Sequence, residues 1–156
     1  MARKTNMYTV TAPGRDKGKV FLLTEMSAAR AESWSMRVLL ALIGGNVEVP
    51  EGVEELGMAG LAELGMKLIA GLKWDVAEPL LAEMLECVQI IPDPSKTHVV
   101  RYLTEDDIEE VITRLMLRQE VWKLHMDFLE AVGKSISSAK QAAKSQRGPG
   151  TRMSRK

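Results

Sequence analysis

A chain of 156 residues, 46% of them hydrophobic, has the size and apolar content of one ordinary domain with a real core. Its formal net charge of zero hides a segregation: five basic residues and one acid (Asp16) lie in positions 1–19, seven basic residues and no acid in 134–156, and nine basic against twenty acidic residues between them, a net of −11. An acidic body between basic ends argues against a small-molecule enzyme and for a protein that meets macromolecular partners.

The single cysteine, Cys87, excludes an intramolecular disulfide and points to a reducing compartment. The opening MARKTNMYTVTAPG has no signal-peptide apolar run, and the longest apolar run, Val38 to Ile43, is too short to span a bilayer. The expectation is a soluble, cytoplasmic chain with one folded domain and no membrane contact. Ten methionines against 4% aromatics suit either core filling or an adaptable binding surface.

In chain order, residues 1–18 form a basic segment that includes a possible first hairpin strand. Tyr8-Thr9-Val10-Thr11 and Lys19-Val20-Phe21-Leu22-Leu23-Thr24 are β-prone, and Pro13, Gly14 and Gly18 between them predict a turn. Such a hairpin is marginal alone and must pack on helices. Ser27 reads as the N-cap of a helix over 28–43, with Trp34, Val38, Ala41 and Leu42 as its apolar stripe, ended by Gly44-Gly45-Asn46. After a loop with Pro50 and the acids Glu51 to Glu55, Leu61, Leu64, Leu68 and Leu72 predict a helix over 58–71. Gly60 and Gly65 inside it each cost about 1 kcal/mol relative to Ala, which signals close helix–helix approach or a break.

Asp75 reads as the cap of a third helix to about Cys87, with Pro79 tolerable only in its first turn. Val76, Leu80, Leu81, Met84, Leu85 and Val88 give that helix a broad buried face. Pro92-Asp93-Pro94 makes a rigid corner, and His98 to Tyr102 is a short β-prone stretch suited to pairing with the hairpin. Thr104, followed by Glu105, Asp106 and Asp107, reads as the start of a long last helix to about Val132, closed by Gly133. Its face is Ile108, Val111, Leu115, Trp122 and Leu129, with Ile112, Met116 and Met126 beside it, and Glu110–Arg114 is a favourable i,i+4 pair. From 133 to 156 apolar periodicity stops, which predicts a flexible basic tail. The fold class is mainly α with a small β element (α+β): about four helices over 19–132, an N-terminal hairpin and that tail.

Chemistry-bearing residues are sparse. Cys87, His98 and His125 make neither a nucleophile–base arrangement nor a metal pattern by spacing. Cys87 reads as a core thiol, and Asp106, Asp107 and Glu110 as a conceivable divalent-ion cluster better explained by helix capping. The glycines fit neither a phosphate loop nor a dinucleotide fingerprint. No catalytic residue, metal or cofactor is assigned. The candidate partner-binding residues are the tail cations Lys134, Lys140, Lys144, Arg147, Arg152, Arg155 and Lys156. They suit an acidic protein surface or nucleic-acid phosphates, although no aromatic residue is there to stack on bases.

Two stretches carry a family resemblance. Arg15-Asp16-Lys17-Gly18-Lys19-Val20-Phe21-Leu22-Leu23-Thr24-Glu25-Met26 leads into Ala31-Glu32-Ser33-Trp34-Ser35-Met36-Arg37-Val38-Leu39-Leu40-Ala41-Leu42. Asp106-Asp107-Ile108-Glu109-Glu110-Val111 is followed by Arg114-Leu115-Met116-Leu117-Arg118 and Trp122-Lys123-Leu124-His125. With Gly57 to Leu61 and the Pro92–Pro94 corner, this pattern over residues 15–132 resembles the tail assembly chaperones of tailed bacteriophages and prophages. The resemblance implies a non-enzymatic, mostly helical protein in the cytoplasm of the bacterial host. It would bind the tape-measure protein, help recruit tail-tube subunits and be lost from the virion, with homo-oligomerisation possible. The alternatives are a structural tail or head–tail connector component, and a small nucleic-acid-binding regulator that uses the basic ends.

Overall fold

In the computed structural model, alternation along two short segments builds the first layer. Strand β1 (Thr5–Thr9) pairs antiparallel with β2 (Val20–Thr24), Tyr8 opposite Phe21 and Met7 opposite Leu22. Phe21 and Leu23 of β2 are fully buried while Val20, Leu22 and Thr24 are half-exposed, the period-2 pattern of a sheet with one covered face. The turn between the strands needs its glycines, because Gly14 and Gly18 have φ of 146° and 86°. Strand β3 (Val88–Ile91) adds to β2, and the two-residue β4 (Arg101–Tyr102) adds to β3, giving an antiparallel sheet in the order β1-β2-β3-β4. The structure describes residues 3–45 and 58–126, with backbone alone over 58–63, all within a unit spanning Met1–Met126. The acidic run Glu51 to Glu55, the helix end near Val132 and the basic tail lie outside the described residues.

Among the described residues four α-helices complete the fold: α1 (Ala28–Gly44), α2 (Met58–Ala70), α3 (Trp74–Leu85) and α4 (Val111–Leu124). The mainly α, α+β class and the four helices hold, and the expected hairpin is half of a four-stranded sheet. Trp34 and Val38 anchor α1 in the core, and the Trp34 indole N–H donates to the Leu80 carbonyl of α3 (3.1 Å). Ser27 occupies the N-cap position of α1, where its carbonyl accepts the Ala31 N–H (2.8 Å) and its side chain makes no cap bond. Two ion pairs tie α1 to α3: Arg37 with Glu83, bidentate at 2.7 Å, and Arg30 with Glu86. The Trp34 ring and the ring of Trp122 on α4 meet edge to face, centroids 5.4 Å apart and planes at 72°.

Several local expectations are corrected. Helix α3 begins one residue before Asp75, with Lys73 at the N-cap, so Pro79 sits inside the helix beyond its first turn; its ring is exposed there. Val88 belongs to β3 and not to a helical face, because α3 stops at Leu85 and the Cys87 carbonyl accepts the Thr24 N–H (2.9 Å). The β-prone stretch before Tyr102 reaches the sheet only through Arg101 and Tyr102, and pairs with β3 instead of the hairpin. Thr104 starts a 3₁₀ turn (Glu105–Asp107), and α4 begins only at Val111. The Asp107 carboxylate accepts the Thr104 N–H (2.6 Å) and hydroxyl (2.9 Å), which closes that turn on itself. Of the expected face, Ile108, Trp122 and Met126 are buried, but Val111, Ile112 and Leu115 are exposed, and Thr113, Leu117 and Val121 are buried in their place, so the first turns of α4 present another face.

Candidate functional site

The hairpin turn holds the start of α4. Asp16, only 1% exposed, accepts the Lys19 ammonium (2.7 Å) and the Glu109 N–H (3.0 Å) on Oδ1, and the Glu110 N–H (2.9 Å) on Oδ2. The buried Thr113 side chain also helps to hold this carboxyl ionised. A distant segment thus fixes the backbone of Glu109 and Glu110 as the chain enters α4, and sets a carboxylate at a helix N-terminus, where negative charge is favoured. Glu110, with extended backbone, is the N-cap of α4, and its carboxylate takes Arg15 (3.0 Å). The expected Glu110–Arg114 pair is therefore replaced, because Glu110 stands outside the helix.

A cleft of about 440 Å³ opens beside this joint, lined by Lys17, Lys19 and Arg101 on the basic side and by Pro92, Pro94 and Asp107. Three of the cations that line it are already engaged, Arg15 by Glu110 as above. Lys19 reaches Asp16, the Asp107 carbonyl (3.0 Å) and Glu109 (3.4 Å), and Arg101 forms a bidentate pair with Asp107 at 2.6 and 2.7 Å. This arrangement stiffens the joint between sheet and α4. The residues once grouped as a conceivable ion cluster are separated in role, since Asp107 serves Arg101 and Glu110 serves Arg15. No group of three His, Cys, Asp or Glu among the described residues could hold a metal ion.

Cys87 is buried where α3 passes into β3, and burial pushes its thiol up to about 11. His125 is also buried. Its Nε2 accepts the Met26 N–H (2.8 Å) and its Nδ1 donates to the Val121 carbonyl (2.8 Å), the pattern of a neutral ring with the proton on Nδ1. The Nδ1 bond stays within the last turn of α4, and the Nε2 bond joins the C-terminal end of α4 to the chain entering α1. The candidate tail residues Lys134, Lys140, Lys144, Arg147, Arg152, Arg155 and Lys156 lie outside the described residues.

The described surface with the clearest capacity to bind is on α1. Met36, Leu40 and Ile43 are 44%, 62% and 65% exposed at i, i+4 and i+7, an apolar ridge about 10 Å long opposite the Trp34–Val38 face. No charged residue occurs between Arg37 and Glu48 to break it. The sequence carried this second stripe at helical spacing, but attention to the stripe that fills the core passed over it. Methionine plays both expected parts: Met26, Met84 and Met126 are core residues, whereas Met7 and Met36 face solvent.

Comparison with protein-family models, curated proteins and solved structures finds no match to this chain. No helix among the described residues is long and apolar enough to cross a membrane.

Proposed function

We propose that this protein is a non-enzymatic tail assembly chaperone that binds the tape-measure protein and helps recruit tail-tube subunits in the cytoplasm of a bacterial host. The observation that carries the reading is the α1 ridge. Three large apolar side chains in helical register, unbroken by charge, fit the apolar stripe of an amphipathic helix laid along them. Such a client is what a long helical tape-measure chain presents before the tail tube covers it. Met36 gives the ridge an adaptable surface, which suits successive similar but non-identical stripes of one client. The residue pattern over 15–132, which includes Met36 and Leu40 of the ridge, supports the same reading.

Co-expression with a tape-measure fragment from the same genome tests the proposal. The two should co-purify, and Leu40→Asp should abolish the complex without lowering the chaperone's own thermal midpoint, because Leu40 is on the solvent side of α1. Mature particles should lack the protein. Stoichiometric copies in purified virions would instead identify a structural tail or connector component.

A further inference from the structure

The sheet has one guarded edge and one open edge. At the guarded edge, β4 is two residues long and carries Arg101, whose guanidinium is held by Asp107. At the other edge, β1 reads Thr5-Asn6-Met7-Tyr8-Thr9, without the charge or proline that usually blocks strand addition. The ladder phase shows which groups are free. Val10 N–H donates to the Lys19 carbonyl (3.0 Å) and Glu25 N–H to the Lys4 carbonyl (2.9 Å). In an antiparallel pair these hydrogen-bonded positions alternate, so Thr5, Met7 and Thr9 turn their N–H and C=O away from β2. All three residues are exposed, Met7 by 55%, and among the described residues nothing hydrogen-bonds their backbone.

We propose that this edge is a dimer interface, at which β1 pairs antiparallel with β1 of a second copy about a two-fold axis through Met7. The occupant follows from the spacing. The outward residues 5, 7 and 9 are symmetric about 7, so a two-fold axis sets Met7 against itself and Thr5 against Thr9 of the other copy. Every outward donor and acceptor of the three then finds a partner. The cross-strand pairs are threonine with threonine and methionine with methionine, both favourable on a sheet face. Charge selects the direction. In the antiparallel register Arg3 and Lys4 fall beside the neutral Thr11 and Val10 of the second copy, whereas a parallel pair would stack the cations on one another. Arg3 and Lys4 at one end and Pro13 at the other confine pairing to this short strand. The interface is small, so the dimer is concentration-dependent.

This inference stands on a different element from the α1 ridge, and its test separates the two. Sedimentation velocity of the full chain should show a monomer–dimer equilibrium that shifts with concentration across the micromolar range. Met7→Pro should weaken it at least about ten-fold with an unchanged far-UV spectrum, because the outward Met7 N–H serves no intramolecular bond. Leu40→Asp should leave it intact. Met7→Cys gives a second reading: with copper–phenanthroline as oxidant it should form a disulfide-linked dimer, since the two-fold axis brings residue 7 within reach of its own copy. Leu40→Cys should not. A chain that stays monomeric at every concentration, a dimer untouched by Met7→Pro, or cross-linking through residue 40 and not residue 7 would overturn the proposal.

Discussion

Asp16 shows how much one side chain does in this fold. Burial alone would push its carboxyl up, but the Lys19 ammonium, the Glu109 N–H, the Thr113 hydroxyl and the Glu110 N–H outweigh burial and hold it well below the usual carboxylate range. Asp107 is also depressed, chiefly by the Arg101 guanidinium. A carboxyl lowered on folding stabilises the native state fully above its unfolded value near about 4 and loses that contribution as pH falls below it. The urea midpoint should therefore hold between about pH 7 and 5 and fall below about pH 4, and Asp16→Asn should flatten that acid limb. Asp16→Ala at neutral pH should cost about 3 kcal/mol in urea unfolding, since it leaves two backbone donors unpaired and takes from Lys19 its nearest carboxylate. Cys87 gives a complementary test. With its thiol buried and raised to about 11, it should react with a disulfide reagent at pH 8 no faster than the chain unfolds, and at once in urea.

At the scale of elements, α2 and α4 approach through a glycine. A Cβ on Gly65 would stand 2.6 Å from Trp122 Nε1, so only glycine lets the indole lie against the α2 backbone. Alanine gains about 1 kcal/mol of helix propensity, while the overpacking costs about 1–3 kcal/mol. Gly65→Ala should therefore destabilise the protein in denaturant titration, against the trend for exposed helix glycines. A gain in stability would show that Trp122 can move aside. The start of α4 makes a related point. Thr104→Ala, which affects only the 3₁₀ turn, should cost about 1 kcal/mol, clearly less than Asp16→Ala, which releases the backbone entering α4. Equal effects would show that the 3₁₀ turn holds the start of α4 as firmly as Asp16 does.

Across the whole molecule, the Trp34–Trp122 contact joins α1 to α4 over 88 positions of sequence. A double-mutant cycle with phenylalanine at both positions should find a coupling of about 1 kcal/mol. Trp34→Phe should be the more costly single change, because the Trp34 N–H is bonded to Leu80, whereas Trp122 Nε1 is buried without a partner among the described residues. The elements readable in the chain were those with local causes. The hairpin followed from β-prone runs around Gly14 and Gly18, although β1 occupies Thr5–Thr9 and not the expected Tyr8–Thr11, and α1 to α3 followed from apolar spacing and breakers. The Gly65 signal also pointed correctly to close helix approach. Three features were illegible locally. Val88–Ile91 is a short apolar run that reads equally as the end of a helix, and only the edge of β2 makes it a strand. The face of α4 depends on where Trp34 and Gly65 leave room for Trp122. The start of α4 depends on Asp16, 95 positions before Val111, whose carboxylate fixes the backbone N–H groups of Glu109 and Glu110 where the chain enters the helix. Residue pattern thus specified the class of fold and the existence of most elements, because propensity and periodicity act over a few residues. Tertiary packing decided helix phase, helix start and which apolar stripe of α1 remained exposed, because each is set by a partner far away in the chain.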